Sequence, residues 1–68
     1  MTFEELSTVL QAGGMAKRVA WGDEFVKFRN LNRPSHTDML RGSVGEEAVA
    51  SYYLSSDDIM AEDWEIVA

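Results

Sequence analysis

The sequence predicts an α+β domain: a short helix first, then several short strands, with one helical turn before the last strand. Three observations carry this. An apolar stripe at helical spacing opens the chain behind a capping signal. Two β-prone runs flank a glycine turn at Gly22-Asp23. A second capping signal, Ser55 to Asp58, leads into an aromatic closing strand.

The helix is expected over about 3–12. Thr2 followed by Glu5 is a capping-box spacing. Phe3, Leu6, Val9 and Leu10 then make one face. Gly13-Gly14 ends the helix, because glycine readily takes the left-handed conformation found just past a helix. Strands follow over about 15–21 and 24–29, a hairpin around Gly22. Alternation puts Phe25 and Lys27 on one face, and Val26 and Phe28 on the other. It also puts Arg18 and Trp21 on opposite faces, unless the strand twists, bulges or meets another subunit.

Residues 29–45 read as loop, on Asn30, Asn32, Pro34, Ser35, Gly42 and Gly45. Within them, 37–41 suits either a strand or a helical turn. Residues 46–50 suit a helix and 49–54 a strand, with Tyr52-Tyr53 favouring the strand. Ser55-Ser56-Asp57-Asp58 starts a helical turn over about 56–61, its acids at the positive end of the dipole. Residues 63–67 close the chain as a strand.

A chain of 68 residues is one domain, and a small one. At this size only about 60% of the unfolded surface is buried on folding, so a further source of stability is expected. There is no cysteine for a disulfide, and the single His36 makes a structural zinc unexpected. Association with further copies is left. No run approaches the roughly 20 apolar residues of a membrane span. The acidic N-terminus does not suit a signal peptide. A cytoplasmic location and no membrane partner are the expectations.

The net charge of −6 is unevenly spread. Residues 1–16 carry −2, residues 17–41 carry +3, and residues 42–68 carry −7. A globally acidic chain is a poor partner for long nucleic acid, whose affinity comes from neutralising phosphates. A local basic segment can still hold one small phosphorylated ligand.

Two segments resemble one known family. Phe3, Leu10, Gly13, Arg18 and Trp21 stand at the spacing of an aromatic-led helix, a glycine, and a strand ending in arginine and tryptophan. Residues 55–67, SSDDIMAEDWEIV, are similar to the family's closing signature. There a serine, an aspartate, two apolar residues and an alanine lead into Asp-Trp-Glu. The family is the phage Thoeris anti-defence proteins of the second type. The middle of this chain is shorter than is usual in it, and Tyr52 and Leu54 stand where members have tryptophan and proline.

The resemblance implies a short helix packed on a small, twisted antiparallel sheet, assembled as a homo-oligomer, with a tetramer favoured and a dimer possible. It implies a sponge: a protein of the infected bacterial host's cytoplasm that sequesters a cyclic ADP-ribose isomer or a cyclic oligonucleotide without cleaving it. No cofactor is implied.

A sponge needs an aromatic platform, a cationic fork and a few carboxylates. Trp21 is the first candidate platform, with a core tryptophan as its alternative. Arg18 is the candidate partner for phosphate or carboxylate, with a surface ion pair as the alternative. Tyr52 replaces the family's tryptophan and can still stack. Ser55 and Asp58 read as a helix cap first and ligand contacts second. Asp63 can cap a turn, pair with Arg18 or accept ribose hydroxyls. Trp64 reads as core or subunit interface.

Catalytic and metal residues are not expected. A catalytic histidine needs a positioned partner; Asp38 stands near His36 in sequence but nothing else completes a triad, and adjacent carboxylates such as Glu46-Glu47 do not face one another. A different function class fits the −7 segment: an acidic inhibitor docking on a basic host protein.

Overall fold

The computed structural model describes residues 1–67. It is an α+β fold with an N-terminal helix and a five-stranded antiparallel sheet.

Helix α1 spans Phe3–Gln11. Its capping box is complete: Thr2 Oγ1 accepts from the Glu5 N–H at 3.2 Å, and Glu5 Oε1 accepts from the Thr2 N–H at 2.8 Å. These bonds satisfy donors that the first turn leaves without helical partners. They also hold the Glu5 carboxyl below its ordinary pKa, the Thr2 backbone bond first. Leu6 and Leu10, one turn apart, are fully buried.

The strands are β1 (Met15–Arg18), β2 (Glu24–Phe28), β3 (Met39–Ser43), β4 (Ala50–Tyr52) and β5 (Trp64–Val67). Helix α2 (Ser56–Met60) precedes β5. The sheet order is β4-β3-β2-β1-β5, so the last strand returns beside the first. Register fixes the faces. Ala16 pairs with Val26 and Ile66, Phe28 with Met39, Met39 with Tyr52, and Arg18 with Trp64. Paired residues share a face. Ala16, Val26, Phe28, Met39 and Trp64 therefore meet Leu6, Leu10 and Leu54 in one core. Phe25, on the other face, is also buried. It lines a cleft of about 270 Å³ with Met15, Val44 and Val67.

Several elements differ from the sequence expectation. The strand expected over 15–21 stops at Arg18, and Val19–Trp21 form a 3-10 turn. Its ladder with β5 runs out there: Arg18 is opposite Trp64, and Val19 N–H reaches the Asp63 carbonyl at 3.2 Å. Gly22, at φ +64°, then reverses the chain in a conformation that glycine adopts at little cost.

The strand expected over 49–54 is confined to Ala50–Tyr52. Within the expected loop, Met39–Ser43 forms β3, a full partner of β2. Gly42 is not loop punctuation. A Cβ there would lie 2.7 Å from Ala48 Cα, because the following loop crosses directly over it. Residues 46–48 make no helix.

Candidate ligand-binding site

The closing segment builds the centre of the site. Ser55 is the N-cap of α2, and Asp58 is the third residue of the helix. Ser55 Oγ accepts from the Asp58 N–H, and Asp58 Oδ2 accepts from the Ser55 N–H, both at 3.2 Å. This second capping box turns the Asp58 carboxylate inward. The residue is 6% exposed, the one buried charged residue among those described.

Three more groups meet it. Tyr52 Oη donates to Asp58 Oδ2 at 2.9 Å, and Ser55 Oγ lies 3.1 Å from the same oxygen. Arg18 Nη1 donates to Asp58 Oδ1 at 3.1 Å. The Trp64 indole N–H donates to the Asp58 carbonyl at 2.8 Å. Burial acts to raise the Asp58 pKa, but the bonds from Tyr52, Arg18 and Ser55 outweigh it and hold the carboxyl below its usual value. The Tyr52 phenol is pushed up, by burial first and by its bond to Asp58 second.

Arg18 bridges to the next residue of the set. Its Nε donates to Asp63 Oδ1 at 2.9 Å. The guanidinium pKa is raised by Asp63 first and then Asp58, and Asp63 is lowered chiefly by Arg18. A guanidinium has five N–H donors, and three are engaged with these carboxylates. The alternative of an ion-paired arginine is thus what Arg18 does here, with donors left over.

Trp21 joins through its ring. It stands edge-on to Tyr52, centroids 5.9 Å apart at 79°, and edge-on to Trp64 at 5.2 Å and 80°. Such T-shaped pairs bring the positive edge of one ring to the negative face of another. Trp21 and Tyr52 are only partly buried, whereas Trp64 is sealed in the core. The 3-10 turn explains how Arg18 and Trp21 reach one cluster against strand alternation: the chain changes direction between them.

Arg18, Trp21, Tyr52, Ser55, Asp58 and Asp63 therefore come together, although they span 45 residues of sequence between Arg18 and Asp63. One neighbour is absent from the sequence prediction. Arg41 lies on β3 with its guanidinium carbon 5.7 Å from the Tyr52 ring centroid, and it pairs with Glu24. It was hidden because residues 29–45 read as loop. Only the strand register brings Arg41 to the face that carries Tyr52.

The electrostatics constrain what this patch can hold. Arg18 offsets one of the two carboxylates beside it, and Arg41 is matched by Glu24. An anionic ligand would gain little from net charge. Ring faces, spare guanidinium donors and the free lone pairs of Asp63 are what the patch offers. These suit a ligand with aromatic bases and hydroxyls as well as phosphate. Among the described residues no group of three or more His, Cys, Asp or Glu side chains is placed to hold a metal ion. No helix among them is long and apolar enough to cross a membrane.

A comparison with curated proteins finds no match. A comparison with family models does, over nearly the whole length, and makes phage anti-defence the class of function. The match runs through both segments that build the cluster, from the helix–strand start to the Asp-Trp-Glu close. The chain belongs to the Thoeris anti-defense 2-like domain family, whose model covers residues 1–67.

Proposed function

We propose that the protein is a sponge: it binds a cyclic nucleotide-type immune signal in the cytoplasm of the infected bacterium and holds it intact. The signal class is a cyclic ADP-ribose isomer or a cyclic oligonucleotide. The supporting observation is the meeting of two partly exposed rings, Trp21 and Tyr52, with the Arg18–Asp58–Asp63 network. The rings stack bases, Arg18 and Arg41 face phosphate oxygens, and Asp63 accepts ribose hydroxyls. Asp58 and Ser55 hold Tyr52 and Arg18 in place.

The protein works as a homo-oligomer in this proposal, a tetramer or a dimer. The open position of the patch favours that, since Trp21 and Tyr52 are only partly buried in the single chain. A second copy would wall the patch in. Binding proceeds without chemistry, and Asp58 serves position and not proton transfer.

Calorimetric titration with cyclic ADP-ribose isomers and cyclic dinucleotides tests the proposal. Saturable binding that weakens in Trp21→Ala is the expected result. Absence of binding to every one of these ligands rejects it.

A second reading has one observation in its favour. Glu46, Glu47, Asp57, Glu62 and Glu65 are exposed in the −7 segment, an acidic surface for a basic host protein. Capture of a host protein that is lost at high salt, with no small-molecule binding, would select it.

A further inference from the structure

The sheet has two edges, and they are treated differently. On the β5 side, Met1 backs the strand: its amine donates to the Glu62 and Trp64 carbonyls, and its carbonyl accepts from the Trp64 N–H at 3.1 Å. Glu65 adds charge there, half exposed and facing Lys17. The β4 strand has no backbone cover of this kind and no charged residue of its own; the charge that reaches it is Arg29, whose guanidinium donates to Ser51 Oγ from the sheet face. Among the described residues no strand lies outside it. In a chain with 6 basic and 12 acidic residues, residues 48–56 carry no charge and no proline. Natural proteins guard free edges with charge, proline or a cover, because unpaired N–H and C=O groups recruit another strand.

The ladder shows which groups β4 presents. Val44 N–H bonds the Asp23 carbonyl at 2.8 Å, and Arg29 N–H bonds the Asp38 carbonyl at 3.3 Å. Bonded pairs recur at every second residue of an antiparallel ladder. Leu40 and Gly42 thus bond toward β2, while Met39 and Arg41 bond toward β4, to Tyr52 and Ala50. Ser51 then directs its own N–H and C=O outward, and Val49 and Tyr53 follow the same alternation.

We infer that β4 pairs with β4 of a second copy, antiparallel, about a two-fold axis through Ser51. The inference rests on the homo-oligomeric assembly proposed above and names its interface. The sequence around Ser51 is self-complementary in that register. Ser51 meets its counterpart, Ala50 meets Tyr52, and Val49 meets Tyr53. Val49 and Tyr53 are 75% and 72% exposed in the single chain, two apolar side chains placed symmetrically about Ser51. The pairing sets each against the other, as cross-strand apolar pairs require. It also reaches the candidate site. Tyr52 lies beside the small Ala50 of the second copy, and the two Tyr52 residues become diagonal neighbours, about 7–8 Å apart on the same face. Two aromatic patches, each with its own Trp21 and Arg41, thereby join across the axis.

A charge swap at the two exposed positions tests this register. Val49→Lys combined with Tyr53→Lys sets like charges opposite each other, while Val49→Lys combined with Tyr53→Glu sets opposite charges there. Mass is measured by light scattering after size exclusion, with circular dichroism to check folding. The expected wild-type species is an even-numbered oligomer. The expected mass of the Lys/Lys variant is half that value with the spectrum unchanged, and the Lys/Glu variant regains the full mass. A monomeric wild type, or a Lys/Lys variant that keeps the wild-type mass, overturns the pairing. Ligand binding is followed on the same samples. Charge-dependent assembly without any cyclic nucleotide bound leaves the edge pairing standing and sinks the sponge. Ligand bound by a monomer does the reverse.

Discussion

The Tyr52 hydroxyl donates to Oδ2 of Asp58 at 2.9 Å, and this bond ties the edge of the sheet to the first turn of α2. Arg18 reaches the other oxygen of the same carboxylate from β1. One buried side chain thus sets the positions of two residues proposed to face the ligand. The relationship fixes what substitutions should do.

Tyr52→Phe keeps the ring and removes the donor. A hydrogen bond to a charged group contributes about 1.5–3 kcal/mol. The Ser55 and Arg18 bonds remain, so the fold should survive with a loss near the lower end of that range. Urea denaturation measures it.

Asp58→Ala removes the acceptor for Tyr52, Arg18 and Ser55 together. It leaves the Tyr52 phenol without its acceptor, takes from Arg18 one of its two carboxylates and opens the second capping box. The expected loss is about 3 kcal/mol or more, larger than for Asp63→Ala, whose side chain is 40% exposed. Paired denaturation curves for the two variants check the ranking.

The pH dependence follows from the same network. Asp58 and Asp63 titrate below their ordinary values in the folded protein. Unfolded aspartate titrates near pH ~3.9. The stability these two contribute is complete above that value and is lost as pH falls through their lower folded values. Tyr52 titrates above the ordinary phenol. Its contribution is present below about pH 10 and is lost as pH rises further. Melting temperature against pH should therefore fall at both ends. Asp58→Asn should flatten the acid limb, and Tyr52→Phe the alkaline one.

Trp21→Ala should weaken ligand binding by about 1–3 kcal/mol, the worth of one stacked base. Trp21→Phe keeps a flat ring and should lose less. Equilibrium titration of the two variants against wild type provides the comparison.

Gly42→Ala should destabilise the protein by about 1–3 kcal/mol, although glycine within a strand is usually unfavourable. The added methyl would press on the Ala48 backbone and displace the loop between β3 and β4. A thermal melt measures this, and an unchanged midpoint would show that the loop yields.

The legible parts of the sequence were those where local chemistry agrees with tertiary demand. Thr2 with Glu5 and Ser55 with Asp58 both form complete capping boxes, and the stripe at Leu6 and Leu10 is core. That the six candidate residues are of types which stacking and phosphate recognition call for was legible, with the family resemblance to single them out. Their convergence was not. It depends on β5 returning beside β1 and on the 3-10 turn at Val19–Trp21, and neither has a local signature. β3 was hidden for a related reason. Gly42 signals a loop in isolation, and only the chain crossing above it explains a glycine in a strand. Arg41 went with it.

The central claim is that the protein holds a cyclic nucleotide and returns it unchanged. The direct measurement incubates the protein with excess cyclic ADP-ribose isomer or cyclic dinucleotide, removes free ligand, and heats the complex. Mass spectrometry of the supernatant then identifies what is released. The account predicts intact ligand in fixed ratio to protein, and less from Trp21→Ala treated alike. A hydrolysed product, or no ligand retained by wild type, contradicts it.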